Sequence, residues 1–518
     1  MGSWSLEESR YDSVRCRVTH SRSAPPSLDF GRNGGVSLSW QQACPAGFDT
    51  MILQFLASVR FGTPGLDFAA TALLLLATVA AAGPALPAEP AQGRLVGNAT
   101  DYAVLPPHER VAVENRILVE RLEHLLPVLM AEAGLDMWVV INREYAEDPV
   151  YFTLVPQPSF AARRTTMLVF SRAADGTVDR LAVNRYPLGG PYKAAWTGGD
   201  LDAQWKALGA LIGGLQPKRI GIDVSRTWPA ADGLTHGLYD RLVDVLPAGY
   251  VTRLVSAEAL VVRWVETRIP TEQALYPHID SIARGVIAEA FSARVITPGV
   301  TTTDEVAWYI RERFETLGLR LWFMPTVDRQ RAGEPCTIGA AHCGDEGRIE
   351  AGDVLHTDVG FCYLKLCTDT QEMGYVLRLD EAGVPPGLEA ALASGNRWQD
   401  ILTGSFKEGR SGNEILDATA KGCATAGLVC STYSHPLGFF GHALGPTIGM
   451  WDNQSATLGT GDWPLHRNTV YAIEGNVTVS LPEWKGQRVQ IMLEQGALFD
   501  GTSVHYLAGR QTQWHVIR

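Results

Sequence analysis

The stretch Val354-Leu-His-Thr-Asp358-Val-Gly-Phe-Cys-Tyr-Leu-Lys-Leu-Cys-Thr-Asp369-Thr-Gln371 decides how the C-terminal half of the chain is read. It reads as two short apolar strands with a tight connection. Each carries one aspartate that its apolar neighbours do not explain. Aspartate is depleted in strands and is almost never buried without a partner. Two such side chains on adjacent strands repel each other unless a cation lies between them. The expectation is therefore a metal site. Asp358 and Asp369 are 369 − 358 = 11 residues apart, a length that suits two facing positions on a hairpin. The connection around Cys362 to Lys365 holds no Gly, Asn or Pro, so its turn type stays open.

Three stretches downstream offer further ligands. Phe440-Gly-His442-Ala-Leu-Gly-Pro-Thr-Ile-Gly449 sets a histidine among glycines, which let the backbone approach a ligand closely. Val470-Tyr-Ala-Ile-Glu474-Gly ends an apolar strand on a carboxylate, and Val489-Gln-Ile-Met-Leu-Glu494-Gln embeds another. Any one of these acids is weak evidence; four carboxylates and one imidazole in such settings are a pattern. Four negative charges balance two divalent cations. An oxygen-rich set with one imidazole suits Mn²⁺, Co²⁺ or Zn²⁺, with Mn²⁺ the leading choice. Two such ions about 3.5–4 Å apart share a bridging water, lower its pKa and polarise a carbonyl, which implies amide hydrolysis.

Composition narrows the remaining classes. The 518 residues are too many for one core and imply two domains plus extras. The net charge of −12 and the lack of a Lys/Arg run argue against nucleic acid as a partner. None of the eight cysteines forms a CxxC pair, so neither a zinc ribbon nor a thioredoxin motif is supported. Phe68 to Ala82 is an unbroken apolar and small-residue run, preceded by Arg60 and followed by small residues and prolines to Ala91. That is a signal-peptide layout, and it is short for a membrane span. Residues 1–50 read as a disordered or misassigned upstream segment before Met51, 51–90 as the signal or anchor region, and 91–104 as a linker. The expected location is periplasmic or secreted, with a membrane-anchored form as the alternative. Export would permit disulfides among Cys336, Cys343, Cys362, Cys367, Cys423 and Cys430, which sequence cannot pair.

Residues 105–263 read as an α/β domain. A helix spans His108 to Glu132 and stops at Gly134; Met137–Ile141 is a buried strand; Asp175-Gly176 joins a hairpin between Thr166–Phe170 and Val178–Val183. Helices at Leu201–Ile212 and Gly233–Val245 alternate with strands at Arg219–Val224 and Val251–Leu254. The domain has no phosphate loop and no nucleophile elbow, so it reads as scaffold or lid. Residues 264–518 open with a helix from Glu272 to Ile296, in which Pro277 marks a kink or the true start. A second helix begins in the capping run Thr301 to Glu305 and ends at Gly318.

The order Asp, Asp, His, Glu, Glu, with the first pair eleven apart, resembles the pita-bread metallopeptidases of family M24: methionine aminopeptidase, Xaa-Pro aminopeptidase and prolidase. The resemblance covers about residues 264–518, and the first domain is similar in layout to the creatinase/prolidase N-terminal domain. It implies an α/β N-terminal domain followed by an α+β pita-bread catalytic domain. It implies a metal-dependent aminopeptidase or dipeptidase acting on short peptides through two divalent metal ions. Asp358 would hold one ion, Asp369 and Glu494 would bridge, and His442 and Glu474 would complete the other. Glu474 would also shuttle the proton. The family carries a second histidine seven residues after the ligand histidine; after His442 that position is Gly449. His342, which is 358 − 342 = 16 residues before Asp358, His356, and His435, seven before His442, are the candidates for a missing catalytic histidine. Glu474 is followed by Gly-Asn instead of the family's Pro-Gly, which leaves proline specificity open, and a homodimer is left open too. Two alternatives stand beside this reading: a metal-independent creatinase-like C–N hydrolase, and an inactive peptide-binding protein on the same fold.

Overall fold

The structure, a computed structural model, describes residues 102–334 and 347–518. His342, Cys336, Cys343 and the expected signal region lie outside the described residues. The described residues belong to one compact unit.

Its first part is a six-stranded sheet. The strands are β1 (Met137–Arg143), β2 (Thr165–Arg172), β3 (Val178–Asn184), β4 (Lys193–Ala194), β5 (Ile220–Ile222) and β6 (Leu254–Ser256), in the order β4-β3-β2-β1-β5-β6. Apolar residues on both faces of β1 give it two buried sides. Trp138 and Val140 pack toward helices Pro107–Glu120 and Glu258–Glu266, whereas Met137, Val139 and Ile141 pack toward helices Leu201–Leu215 and His236–Val245. The expected helix from His108 to Glu132 is interrupted by a π segment at Arg121–Leu125. Pro127 supplies the cause: it has no N–H, and its ring crowds the carbonyl four residues back.

The second part is built on a nine-stranded sheet. Its main path runs β13 (Val429–Thr432), β15 (Thr469–Leu481), β16 (Gln487–Phe499), β12 (Thr370–Val376), β9 (Val354–Val359) and β8 (Thr326–Gln330). β14 (His435–Leu437) adds to β15, β17 (Val504–Tyr506) to β16 and β18 (His515–Ile517) to β12. A small separate sheet joins β7 (Arg320–Leu321), β10 (Phe361–Tyr363) and β11 (Leu366–Cys367). Helix Pro270–Ala290 begins two residues before the expected start, keeps Pro277 inside it, and ends well before Ile296. Helix Thr303–Thr316 carries the capping box in which Thr302 and Glu305 satisfy each other's backbone.

Period-two alternation fixes which side chains can meet. On β9, Leu355 and Val359 pack with Ile279, Val286, Val306 and Ile310 of these two helices, so Asp358 and His356 point away from that layer. On β15, Tyr471, Ile473 and Val477 pack with helices Pro386–Gly404 and Gly412–Ala426, so Glu474 points away from that one.

The connection left open by sequence is a tight turn in which Leu364 and Lys365 both have positive φ, 53° and 62°. Cys362 and Cys367 face each other across it and form a disulfide, and Cys423 pairs with Cys430. Centring the hairpin there corrects one expectation. Asp358 faces Gln371, not Asp369. Asp369 lies two residues before Gln371, on the same face and diagonal to Asp358, where side chains still reach one another.

Candidate metal centre

One register row crosses four strands at the heart of the site. Asp358 on β9 pairs with Gln371 on β12, Gln371 with Glu494 on β16, and Glu494 with Glu474 on β15. Neighbouring strands lie about 4.8 Å apart, so four long polar side chains stand side by side on one face. Asp369 joins from two residues before Gln371. His435 pairs with Ala472, two residues before Glu474, and so reaches the same face.

Ligand atoms of Asp358, Asp369 and Glu494 lie within 4.8 Å of one another, as do those of His435, Glu474 and Glu494, and those of Asp369, His435 and His442. The five sequence candidates thus gather in one place, joined by His435. The two histidines differ in setting. His435 Nε2 stands 3.7 Å from Asp369 Oδ2, 3.5 Å from Glu474 Oε2 and 3.8 Å from Glu494 Oε1. His442 is exposed, its ring 4.6 Å from that of His435 and 5.0 Å from the Trp322 indole. His356 lies deeper, with Nε2 2.9 Å from Gln371 Oε1 and Nδ1 3.3 Å from Asp328 Oδ2. Gln371 is absent from the sequence candidates, because it faces Asp358 only once the hairpin register is known.

The electrostatics call for a cation. Glu494 and Asp369 are buried, at 0% and 4% exposure, and each keeps one buried carboxylate oxygen without a hydrogen-bond partner among the described residues. Burial, reinforced by Asp358 and Glu474, holds the Asp369 carboxyl well above its usual range. Burial, then Asp369 and Glu474, does the same to Glu494, and burial lifts Glu474 to about 8. His435 is pulled down by burial, which favours the neutral ring. Its Nδ1 lies 3.0 Å from the Pro436 carbonyl, the bond that fixes the proton on Nδ1 and leaves a bare Nε2 facing three carboxylates. Lone pairs converging from four acids and a neutral imidazole repel one another in the protein alone, and they fit divalent cations well. Although its outer edge is exposed, the His442 ring is crowded on its inner side by Trp322 and His435, and that desolvation, then the nearness of His435, lowers it to about 4. A cavity of about 420 Å³ opens onto the cluster, lined also by Tyr433, Met450 and Trp451.

Residues 278–495 match the sequence model of metallopeptidase family M24, and all six clustered side chains fall within them. This part of the chain is an M24 domain. No curated protein matches the sequence at a significant level. Among solved structures, the chain is similar to an X-Pro aminopeptidase from Thermotoga maritima, at 18% identity over 74% of this chain and 98% of that one, with a TM-score of 0.53. It is also similar to an Xaa-Pro dipeptidase from Bacillus anthracis, at 14% identity over 79% and 99%, TM-score 0.52. A third is the dipeptidase PepE from Mycobacterium ulcerans, at 20% identity over 78% and 98%, TM-score 0.50. At these identities the likeness is one of fold. Residues 264–518 are only about half of the chain (518 − 263 = 255 residues), so coverage of this extent takes in the α/β domain ahead of the M24 domain as well. The two-part architecture, an N-terminal α/β domain and a pita-bread catalytic domain, is shared with these enzymes.

Among the described residues, no helix is long and apolar enough to cross a membrane.

Proposed function

We propose that the protein is a metal-dependent hydrolase that removes N-terminal residues from short peptides. One observation carries the reading: the bare Nε2 of His435 stands 3.5–3.8 Å from Asp369, Glu474 and Glu494. Asp358, Asp369, His435, Glu474 and Glu494 would hold two divalent ions, with Mn²⁺ the leading candidate. Such ions would supply a Lewis acid that polarises the scissile carbonyl and makes water acidic.

In this reading His435 takes the ligand role assigned above to His442. The geometry supports the exchange, because His435 stands among the carboxylates and His442 at the exposed edge. The family's second histidine, seven residues after the ligand, then falls on 435 + 7 = 442 instead of on Gly449. His442 would donate a hydrogen bond to the substrate carbonyl oxygen. Glu474, buried and basic enough to accept a proton, would take it from the attacking water and pass it to the leaving amine. Gly449 then lies outside the pair, and its lack of a side chain gives no support to an inactive peptide-binding protein. Proline preference remains part of the proposal: the fold shared with an X-Pro aminopeptidase and an Xaa-Pro dipeptidase favours it, and Gly-Asn after Glu474 does not. Export is proposed as well; the Cys362–Cys367 and Cys423–Cys430 disulfides suit an oxidising compartment.

The test is turnover of a dipeptide and tripeptide panel after chelation and addition of Mn²⁺, Co²⁺ or Zn²⁺, with metal content measured in parallel. Asp369→Asn should abolish turnover and bring bound metal below two ions per chain. Normal hydrolysis by that variant, or full activity without metal, would overturn the reading. Mass spectrometry of the mature protein should find an N-terminus between Gly83 and Ala91; an intact Met1 or Met51 would refute export.

A further inference from the structure

Gln371 is the one residue in the cross-strand row that is not an acid. It is 4% exposed, and each of its polar atoms is used. Nε2 donates to Glu474 Oε1 at 2.6 Å and to Glu494 Oε2 at 2.9 Å. A carboxamide NH2 has two hydrogens, so both go to the two carboxylates. With two metal-holding carboxylates on that side only one orientation of the amide fits, because its oxygen would be repelled there. Oε1 therefore points the other way and accepts from His356 Nε2 at 2.9 Å. His356, itself 2% exposed, has its other nitrogen 3.3 Å from Asp328 Oδ2 on the next strand.

We propose that Gln371 is the positioning residue of the metal centre, a neutral fork that locks Glu474 and Glu494 and is itself held by His356 and Asp328. The inference rests on the metal-centre reading above. Each of the two glutamates has one oxygen held by the amide. Their other oxygens, Glu474 Oε2 and Glu494 Oε1, are those that approach His435 Nε2. The fork so divides each carboxylate into an anchored oxygen and a ligand oxygen. A free glutamate has three side-chain torsions to fix, and like charges side by side would swing apart without a donor between them. Because Gln371 is neutral, it supplies two donors without adding a charge to the four acids already there. His356 acts at one remove: its two ring nitrogens meet Gln371 and Asp328, and it works by fixing the amide.

The experiment measures Mn²⁺ binding by calorimetry on the full chain, stripped with a chelator, together with thermal melting of the metal-free protein. Gln371→Met keeps the length of the side chain and removes both donors. It should weaken Mn²⁺ by about 10–100-fold, the usual cost of losing a partner that orients a ligand. His356→Phe should weaken it less, and the double variant should be no worse than Gln371→Met alone, because the histidine acts only through the amide. Wild-type affinity in Gln371→Met, or losses that add in the double variant, would overturn the inference. Should Gln371→Met fail to fold, His356→Phe decides: weaker Mn²⁺ at an unchanged melting temperature supports the relay, and unchanged Mn²⁺ refutes it. Wild-type protein that takes up no Mn²⁺ would fail earlier, and would sink the metal-centre reading itself.

Discussion

The N-terminal domain contains a second acidic cluster whose energetics can be worked through. Asp148 and Asp223 are each 1% exposed and lie against each other. Asp148 Oδ1 accepts from Val150 N at 3.0 Å, and Asp223 Oδ1 accepts from Trp138 Nε1 at 2.6 Å. Burial raises Asp148 from 3.8 to about 6, with Asp232 adding to the effect, and burial and Asp148 push Asp223 well above its ordinary range. Two adjoining buried carboxyls share a proton in the fold and release it on unfolding. A carboxyl whose folded pKa is raised stabilises the fold below its unfolded pKa and loses that contribution as pH rises through the folded pKa. For Asp148 the window runs from about pH 4 to about pH 6, and two units correspond to about 3 kcal/mol. Asp148→Asn removes the titration. The carbonyl oxygen can still accept from Val150, and the new NH2 can donate to Asp223. At pH 8 the variant should be more stable than wild type by about 3 kcal/mol. That is roughly 6–12 °C in the melting temperature of a domain this size. At pH 4 the difference should vanish. Melting curves of both proteins across pH 4–8 are the assay. Parallel pH profiles, with the same offset at both ends, would refute the shared-proton argument.

Other outcomes follow from the packing. Glu272, fully buried, accepts from Arg121 at 2.7 Å and from Arg268 at 3.3 Å, and the two guanidiniums lie 4.7 Å and 5.0 Å from the Phe439 ring. Glu272→Leu strands two buried cations and should cost about 3–5 kcal/mol in denaturant unfolding. A Cβ on Gly441 would overlap the Trp322 indole, which packs against His442 and donates to the Thr368 carbonyl at 3.0 Å. Gly441→Ala should lower kcat by about 10–100-fold while Mn²⁺ affinity stays within about twofold, because His435 and the carboxylates sit on separate strands. An unchanged kcat would remove His442 from the chemistry.

Much of the candidate site could be read in one dimension because acids are conspicuous in apolar strands. Asp358, Asp369, Glu474 and Glu494 each stand where burial without a partner is costly, and that rule needs no coordinates. The imidazole was harder. His442 sits in a Gly-rich run and attracts attention, whereas His435 precedes a proline in an unremarkable strand. The spacing of seven between them was visible, but not which end of it faced the acids. Gln371 gave no signal at all by residue type, since a glutamine is common on any surface. The helix starting near His108 was legible from its periodicity, yet its π segment depends on how Pro127 resolves a lost hydrogen bond.

Composition and alternation alone determined that this chain has an α/β domain ahead of a strand-rich domain, and that four acids lie in settings that demand compensation. Those are local facts, fixed by the free energy of transferring each side chain out of water. Only the tertiary structure decided which groups meet. The turn at Leu364–Lys365 sets the hairpin register, and a shift of two residues exchanges Asp369 for Gln371 opposite Asp358. Addition of β14 to β15 carries His435 onto the face of Glu474, and no spacing along the chain specifies that pairing. Register and strand order are properties of contacts between distant segments, so the identity of each acid's neighbour emerges only when the sheet closes.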